Sequence, residues 1–320
     1  MNNSIQKRVI VHIGYPKCAS TYLQRVVFPR LGNFTNFSSG IPYEEKALLY
    51  HRDMKPEQYR AIVDQHMVPA IDQKPYRIIS GESYVELPFL GFERNFGRVA
   101  SLKGIDPAPY EHRNEVICEN LFRVWPEAYI LIVIREPLRW AVSRYDHWYR
   151  RDLIGESLEV CLDGLGEGYD QLVRRYVDRF SLEHVRVVPY EWLNQAPKMF
   201  LRAVTEFVDP GFNAEIPNVR MNAMPPSAGE VEYRRMQYKL KHHRKSQSKN
   251  VLHRVEESLF PLLRPYFRLK YGGKAQKSVV LEETVLRLRP QLQASNRRLA
   301  ELTGLDIKEL GYDTGLETGL

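Results

Sequence analysis

Val9-Ile-Val-His-Ile-Gly14-Tyr-Pro-Lys17-Cys-Ala-Ser-Thr21-Tyr-Leu-Gln24 runs from an apolar stretch, through a short loop with a lysine and two hydroxyls, into residues at helical spacing. Val9 to Ile13 reads as a central parallel strand, because strands covered on both faces are continuously apolar. Tyr22, Leu23, Val26 and Val27 recur at helical spacing, and Pro29 is expected to end that helix. Strand, loop and helix in this order make a phosphate cradle. The first amides of a helix have no carbonyl one turn back, and together with the helix dipole they stabilise an anion.

The general nucleotide-binding motif G-x-x-x-x-G-K-[ST], laid on Gly14 to Thr21, shows what differs. Thr21 keeps the terminal hydroxyl, Ala19 replaces the second glycine, Ser20 stands where the lysine belongs, and the lysine has moved to Lys17. A nucleoside triphosphatase needs its lysine on the β- and γ-phosphates and a hydroxyl on magnesium, so this loop suits a shorter 5′ group. Tyr129-Ile-Leu-Ile-Val-Ile-Arg135-Glu-Pro137-Leu-Arg-Trp-Ala-Val-Ser143 repeats the pattern. Five apolar residues deliver Arg135 to the carboxyl end of a strand, where parallel sheets open their ligand crevices. Pro137 suits a first helical turn, and a guanidinium with the Ser143 hydroxyl makes a phosphate receptor. A third strand, Tyr76 to Ser80, runs to the carboxylate of Glu82, which belongs in the same crevice. A fourth, from Val185, leads to Tyr190-Glu191-Trp192.

Pro16-Lys17-Cys18-Ala19-Ser20-Thr21 resembles the 5′-phosphosulfate-binding loop of sulfotransferases, which take 3′-phosphoadenosine 5′-phosphosulfate (PAPS) as donor and usually read P-K-x-G-T-T. Lys17 and Thr21 fall on the family's lysine and last threonine, and Ser20 replaces the first threonine. Ala19 departs from the glycine, and its methyl crowds the backbone approach to phosphate. The resemblance implies donor contacts along Lys17, Cys18, Ala19, Ser20, Thr21 and Tyr22. The second segment resembles the family's 3′-phosphate site, R-[DN]-P with a serine eight residues after the arginine. Arg135 and Ser143 keep that spacing, and Glu136 departs from Asp or Asn. Both sites together distinguish a 3′,5′-bisphosphorylated adenosine from ATP.

The same resemblance makes Glu82 the general base found after this strand in members acting on sugars, with Lys17 stabilising the leaving phosphate. Capping a helix or binding acceptor hydroxyls is the other role for Glu82, and Glu86 and His12 are nearby in sequence. Tyr190 resembles the tyrosine of Y-E-x-L beside the nucleotide; closing the core is its alternative. Ser295-Asn-Arg-Arg-Leu-Ala-Glu-Leu302, with Gly304-Leu-Asp306 and Gly311-Tyr312, is similar to the closing segment of bacterial members. The resemblance implies a three-layer, P-loop-like α/β fold with a central parallel sheet, PAPS as co-substrate and no metal. The acceptor expected is a hydroxyl of a carbohydrate or glycolipid. A small-molecule P-loop kinase and a non-catalytic binder of 3′-phosphoadenosine nucleotides are the other readings.

At 320 residues and 43% hydrophobic composition the chain is expected to form one domain over 1–320, with a core of about 6–225 and a helical, basic part over about 226–320. The first strand lies within ten residues of Met1 and no apolar segment reaches membrane-spanning length, so a cytoplasmic enzyme is expected. Cys18, Cys118 and Cys161 form no C-x-x-C pair. A cysteine phosphatase would need arginine six positions after Cys18, where Gln24 stands. Tyr59, Ile62, Val63, His66, Met67 and Ala70 mark one helix face, with His66 read as core, and Tyr169, Leu172, Val173, Tyr176, Val177 and Phe180 mark another.

Beyond Pro225-Pro226 basic residues crowd one segment: Lys239, Lys241, His242, His243, Arg244, Lys245 and Lys249. It is a solvated face, or an acceptor-side surface for an acidic glycan or lipid headgroup, compatible with peripheral membrane contact. Nucleic acid is not expected, because a net charge of +7 is modest and the run lacks interleaved aromatics. Adjacent histidines do not share a helix face, which argues against a metal at His242 and His243. Lys270-Tyr-Gly-Gly-Lys274 resembles a late basic segment that some relatives place on the 3′ phosphate. Nothing in the sequence reports the oligomeric state.

Overall fold

The computed structural model of the chain describes residues 8–36, 45, 48–67, 76–81, 84, 85, 112–151, 154, 156–163, 165, 167–217, 227–243, 260–272, 278 and 280–315. Its centre is a sheet of five parallel strands, β1 Val9–Ile13, β2 Asn33–Asn36, β3 Arg77–Gly81, β4 Tyr129–Ile134 and β5 Val185–Pro189, in the order β2-β3-β1-β4-β5. Ile13 pairs with Gly81 on one side and Ile132 on the other, and Ile134 pairs with Pro189, so the carboxyl ends emerge together. The order reverses at β1, which has β3 on one flank and β4 on the other. A crevice opens at such a switch point.

Helices flank the sheet in a three-layer α/β arrangement. The first, α1, runs continuously through Ser20–Tyr22, Leu23–Val27 and Phe28–Leu31. It is followed by α2 Pro56–Gln65, α3 Arg113–Val124, α4 Pro137–Tyr149, α5 Leu158–Asp163, α6 Tyr169–Phe180, α7 Glu191–Gln195 and α8 Pro197–Val208. Later come α9 Ala228–His243, α10 Arg264–Tyr271 and α11 Glu282–Thr303. The apolar runs form the core: Ile10, Val11, Ile13 and Ile130 to Ile134 are all buried. Each such side chain contributes roughly 1.5–3 kcal/mol on burial.

Pro29 does not end α1. With no N–H it cannot donate to the Arg25 carbonyl, and the helix accommodates this with a π turn over Leu23–Val27, in which the Phe28 amide donates to the Leu23 carbonyl. The chain leaves at Gly32, where a Cβ would sit 2.8 Å from the Tyr76 carbonyl oxygen. β2 is an additional strand, at the sheet edge. His66 is not a core histidine: it follows the C-terminus of α2, half-buried, with Nε2 3.2 Å from Glu45 Oε2.

The C-terminal part divides in two. Leu288 and Leu299 of α11, with Ile307, Leu310 and Tyr312 beyond it, belong to the main core. By contrast, α9 and α10 share a separate small core of Tyr233 and Phe267. Gly229 lets them meet closely, since a Cβ there would fall 2.5 Å from the Phe267 carbonyl oxygen.

Candidate active site

The loop between β1 and α1 is held in a conformation that side chains disfavour. Lys17 has φ 68° and Ala19 φ 60°, ψ 6°, both left-handed, before the chain turns right-handed in α1. Left- and right-handed residues in alternation turn successive amides toward one hollow, the geometry of an anion-binding nest. A left-handed residue with a Cβ costs roughly 1–2 kcal/mol, so the surroundings must fix it. They do: Trp140 Nε1 of α4 donates to the Pro16 carbonyl at 2.9 Å, Cys18 is fully buried with its amide 3.2 Å from the Tyr15 carbonyl, and Tyr15 packs edge-on against Trp140 and Tyr169 at 5.7 and 5.0 Å.

The glycine usual at position 19 would relieve that cost. Ala19→Gly is expected to raise the melting temperature by about 2 °C, part of the gain being offset by the freer unfolded chain, with binding of adenosine 3′,5′-bisphosphate kept or tightened. A melt with and without the nucleotide tests this, and an unchanged or lower melting temperature would show that the loop stores no strain at residue 19.

The structure brings Arg135 to this loop. Arg135 Nη1 donates to the Lys17 carbonyl at 3.4 Å, and its guanidinium lies 4.8 Å from the centre of the Tyr190 ring. Tyr190 is fixed by its amide, which donates to the Ile134 carbonyl at 2.7 Å. The Lys17 loop, Arg135 and Tyr190 therefore lie together beyond the ends of β1, β4 and β5. Ser20, Thr21 and Tyr22 open α1; Ser20 is buried and Thr21 half-buried. Ser143 is half-buried two turns into α4, on the same face as His147.

His147 reports the field here. Burial first, then the charges of Lys17, Arg151, Arg144 and Arg150, push its imidazole down to about 2. Four cations thus act on one spot beside the loop, and a neutral histidine sits among them. Such a place attracts polyanions. Its sequence signal was available, one helical turn beyond Ser143.

The Arg135 loop has its own support. Glu136 caps α4, its carboxylate accepting from the Leu138 and Arg139 amides at 3.1 and 2.7 Å, while burial raises its pKa against those bonds. Glutamate thus does the capping work of the usual Asp or Asn. The Glu136 amide donates to Glu191 Oε1 at 2.9 Å, and Tyr312 OH donates to Glu191 Oε2 at 3.1 Å. Buried Glu191 therefore ties the Arg135 loop to the segment after α11. No local signal in the sequence announces that contact.

Other candidates fall elsewhere. Glu82 and Glu86 lie outside the described residues; β3 ends at Gly81, whose carbonyl accepts from the Gly14 amide at 3.1 Å at the start of the Lys17 loop. His12 is buried in β1 against Phe28, with Nδ1 2.7 Å from Ser80 Oγ, and burial pushes it down to about 3. It is core and not a base in the crevice. The side chains of Lys239, Lys241, His242 and His243, and all of Arg244, Lys245, Lys249 and Lys274, lie outside the described residues. Lys270 Nζ faces the rings of Tyr266 and Tyr271 at 5.7 and 5.3 Å.

A cavity of about 90 Å³ is lined by Tyr15, Trp140, Tyr169, Asp170, Leu292 and Ser295, among others, but not by Lys17, Arg135, Ser143 or Tyr190. Asp170 is already engaged there by Ser295 Oγ at 2.5 Å and Arg298 Nε at 2.6 Å. Among the described residues no group of three His, Cys, Asp or Glu side chains is placed to hold a metal, and no helix is long and apolar enough to cross a membrane.

No protein-family model matches the chain, and no curated protein matches it. Among solved structures, it is similar to a sulfotransferase from Alicyclobacillus acidocaldarius, with 14% identity, 95% of this chain and 97% of that chain covered, and a TM-score of 0.49. Mouse sulfotransferase SULT7A1 complexed with PAP aligns at 13% identity over 77% of this chain and 68% of that one, TM-score 0.36. The sulfotransferase domain from the curacin biosynthetic pathway aligns at 12% identity over 89% and 96%, TM-score 0.34. At such identities and scores the likeness leaves the chemistry to be argued from this chain's own residues.

Proposed function

We propose that the protein is a sulfotransferase that moves the sulfuryl group of PAPS to a hydroxyl of a carbohydrate or glycolipid. The observation that carries this reading is the joining of two phosphate-binding segments in one crevice, through the hydrogen bond from Arg135 to the Lys17 carbonyl beside the left-handed loop. The loop and the hydroxyls of Ser20 and Thr21 take the 5′ phosphosulfate, and Arg135 with Ser143 takes the 3′ phosphate. Tyr190 lies against Arg135 and closes the nucleotide side.

In the reaction the acceptor oxygen attacks sulfur in line. The bond from sulfur to the bridging oxygen breaks, the acceptor proton passes to Glu82, and 3′-phosphoadenosine 5′-phosphate leaves. A loose transition state of this kind asks mainly for positioning and charge stabilisation, by analogy with phosphoryl transfer. Lys17 meets the charge that develops on the bridging oxygen.

The test is calorimetry with two nucleotides. Adenosine 3′,5′-bisphosphate is expected to bind far more tightly than adenosine 5′-phosphate, and Arg135→Ala to remove on the order of tenfold or more of that difference, since charge-assisted bonds to a buried phosphate contribute roughly 1.5–3 kcal/mol each. Equal affinities in the wild type would remove the 3′ site. Magnesium-dependent ATP turnover would favour the kinase instead, whose lysine position Ser20 occupies. Transfer of label from radioactive PAPS to candidate glycans, lipids and phenols identifies the acceptor.

A further inference from the structure

The positive charge of the chain is not spread evenly. Residues 234–274 hold twelve Lys and Arg against two Asp and Glu, whereas all the other residues together hold 34 against 37. This segment spans most of α9 and all of α10, the pair with its own small core. Glu230 illustrates the imbalance: its one carboxylate faces Arg234, Arg264 and Arg268 at 2.9, 2.7 and 3.9 Å. A single acid among three guanidinium groups fixes the two helices together and leaves the cluster positive.

The turn Phe260–Leu263 and α10, which it enters, carry the two most exposed large apolar side chains of the described residues. Leu269 is 87% exposed, Leu262 71% and Tyr266 54%, with Leu263 and Tyr271 also exposed. Leu262, Tyr266 and Leu269 are spaced four and three residues apart, so they share one face, while Phe267 turns inward to Tyr233. Lys270 is flanked by the rings of Tyr266 and Tyr271. Leucines pointing outward, tyrosines beside them and cations around both are what the boundary between lipid tails and headgroups accommodates. A nucleic acid would engage the cations and aromatics but has no use for the leucines.

The surface adjoins the crevice. Arg235 Nη1 donates to Tyr149 OH at 2.6 Å, with the guanidinium 4.0 Å from the centre of that ring, and Arg234 adds its field to Arg150. Both Tyr149 and Arg150 lie at the end of α4, the helix that carries Ser143 and His147.

We propose that the surface formed by Leu262, in the turn Phe260–Leu263, and by Tyr266, Leu269 and Lys270 of α10 docks on an anionic lipid bilayer, the leucines entering the headgroup boundary and Lys270 with the arginines around Glu230 holding the phosphates. Resting on the sulfotransferase reading, this places the acceptor hydroxyl on a lipid in that bilayer, presented beside the end of α4.

The experiment is cosedimentation of the full chain with vesicles of phosphatidylglycerol and phosphatidylcholine, or of phosphatidylcholine alone. Binding is expected to the anionic vesicles only and to weaken in high salt. The double change Leu262→Asp and Leu269→Asp, at exposed positions where folding is not at stake, should weaken it by about tenfold or more, because interfacial affinity scales with buried apolar area. Affinity for adenosine 3′,5′-bisphosphate should stay unchanged, so a failed donor site and a failed lipid surface are read separately. Wild-type protein that ignores anionic vesicles overturns the proposal, as does binding indifferent to the double change. Tight binding to RNA or DNA with none to vesicles, or a dimer abolished by the double change with none to vesicles, would assign the face to nucleic acid or to a second copy and also overturn it.

Discussion

Lys17→Ala is expected to lower sulfuryl turnover by about a hundredfold or more, while the affinity for adenosine 3′,5′-bisphosphate falls much less. The reason lies in when the charge is needed. In the bound donor the bridging oxygen shares its electrons with sulfur; as that bond breaks, the oxygen becomes a full phosphate oxygen, and a cation beside it gains most of its value at that moment. Alanine suits the experiment because it keeps a Cβ at φ 68°, so the left-handed cost of the loop is unaltered and the change isolates the ammonium group. Glycine would alter charge and backbone together. Single-turnover kinetics separates the step from product release. A variant with normal turnover and a raised donor requirement would make Lys17 a ground-state binding residue.

The other cations do not substitute for it. Arg135 is drawn to the Lys17 carbonyl and the Tyr190 ring, and the proposed function assigns it to the nucleotide rather than to the bond that breaks. Arg144 stacks on Trp148 at 4.1 Å. Burial first, then the charges of Lys17, Arg151, Arg144 and Arg150, nevertheless hold His147 neutral, pushing its imidazole down to about 2. A neutral imidazole accepts or donates a hydrogen bond without adding to the field.

What could be read in the sequence was what chain-local physics dictates. β1 and β4 announce themselves as apolar runs, since a strand covered on both faces must be apolar along its length, and β3 and β5 carry shorter ones, Ile78-Ile79 and Val187-Val188. β2, with Asn-Phe-Thr-Asn, does not, because it carries a single large apolar residue; Phe34 and Thr35 are buried. Pro29 misled in the opposite direction: proline forbids one hydrogen bond, but a π turn absorbs the loss and the helix goes on. At the candidate site, Lys17 and Arg135 were legible because each stands in the loop that follows an apolar strand. Glu191 and Tyr312 were not, because their meeting joins residues 121 positions apart, as does the support of Pro16 by Trp140 across 124. The supports of a strained loop come from elsewhere in the chain, and sequence spacing carries no record of them.

Glu82→Gln is expected to lower the transfer rate by roughly a hundredfold or more and to leave affinity for adenosine 3′,5′-bisphosphate nearly unchanged. Glutamine keeps the length, the shape and one carbonyl oxygen of the side chain, but it cannot take the acceptor proton. The strand before it points the same way: β3 pairs Gly81 with Ile13, and the Gly14 amide donates to the Gly81 carbonyl, so β3 itself ends beside the start of the Lys17 loop. The sign of the pH dependence is fixed by the role. A base acts as the carboxylate, so the wild-type rate falls as acid protonates it, and that limb should vanish or move in the variant. Residual transfer in the variant then measures what positioning and Lys17 supply without a base. Wild-type turnover across pH in Glu82→Gln would defeat the assignment; with His12 buried in the core, attention would pass to Glu86.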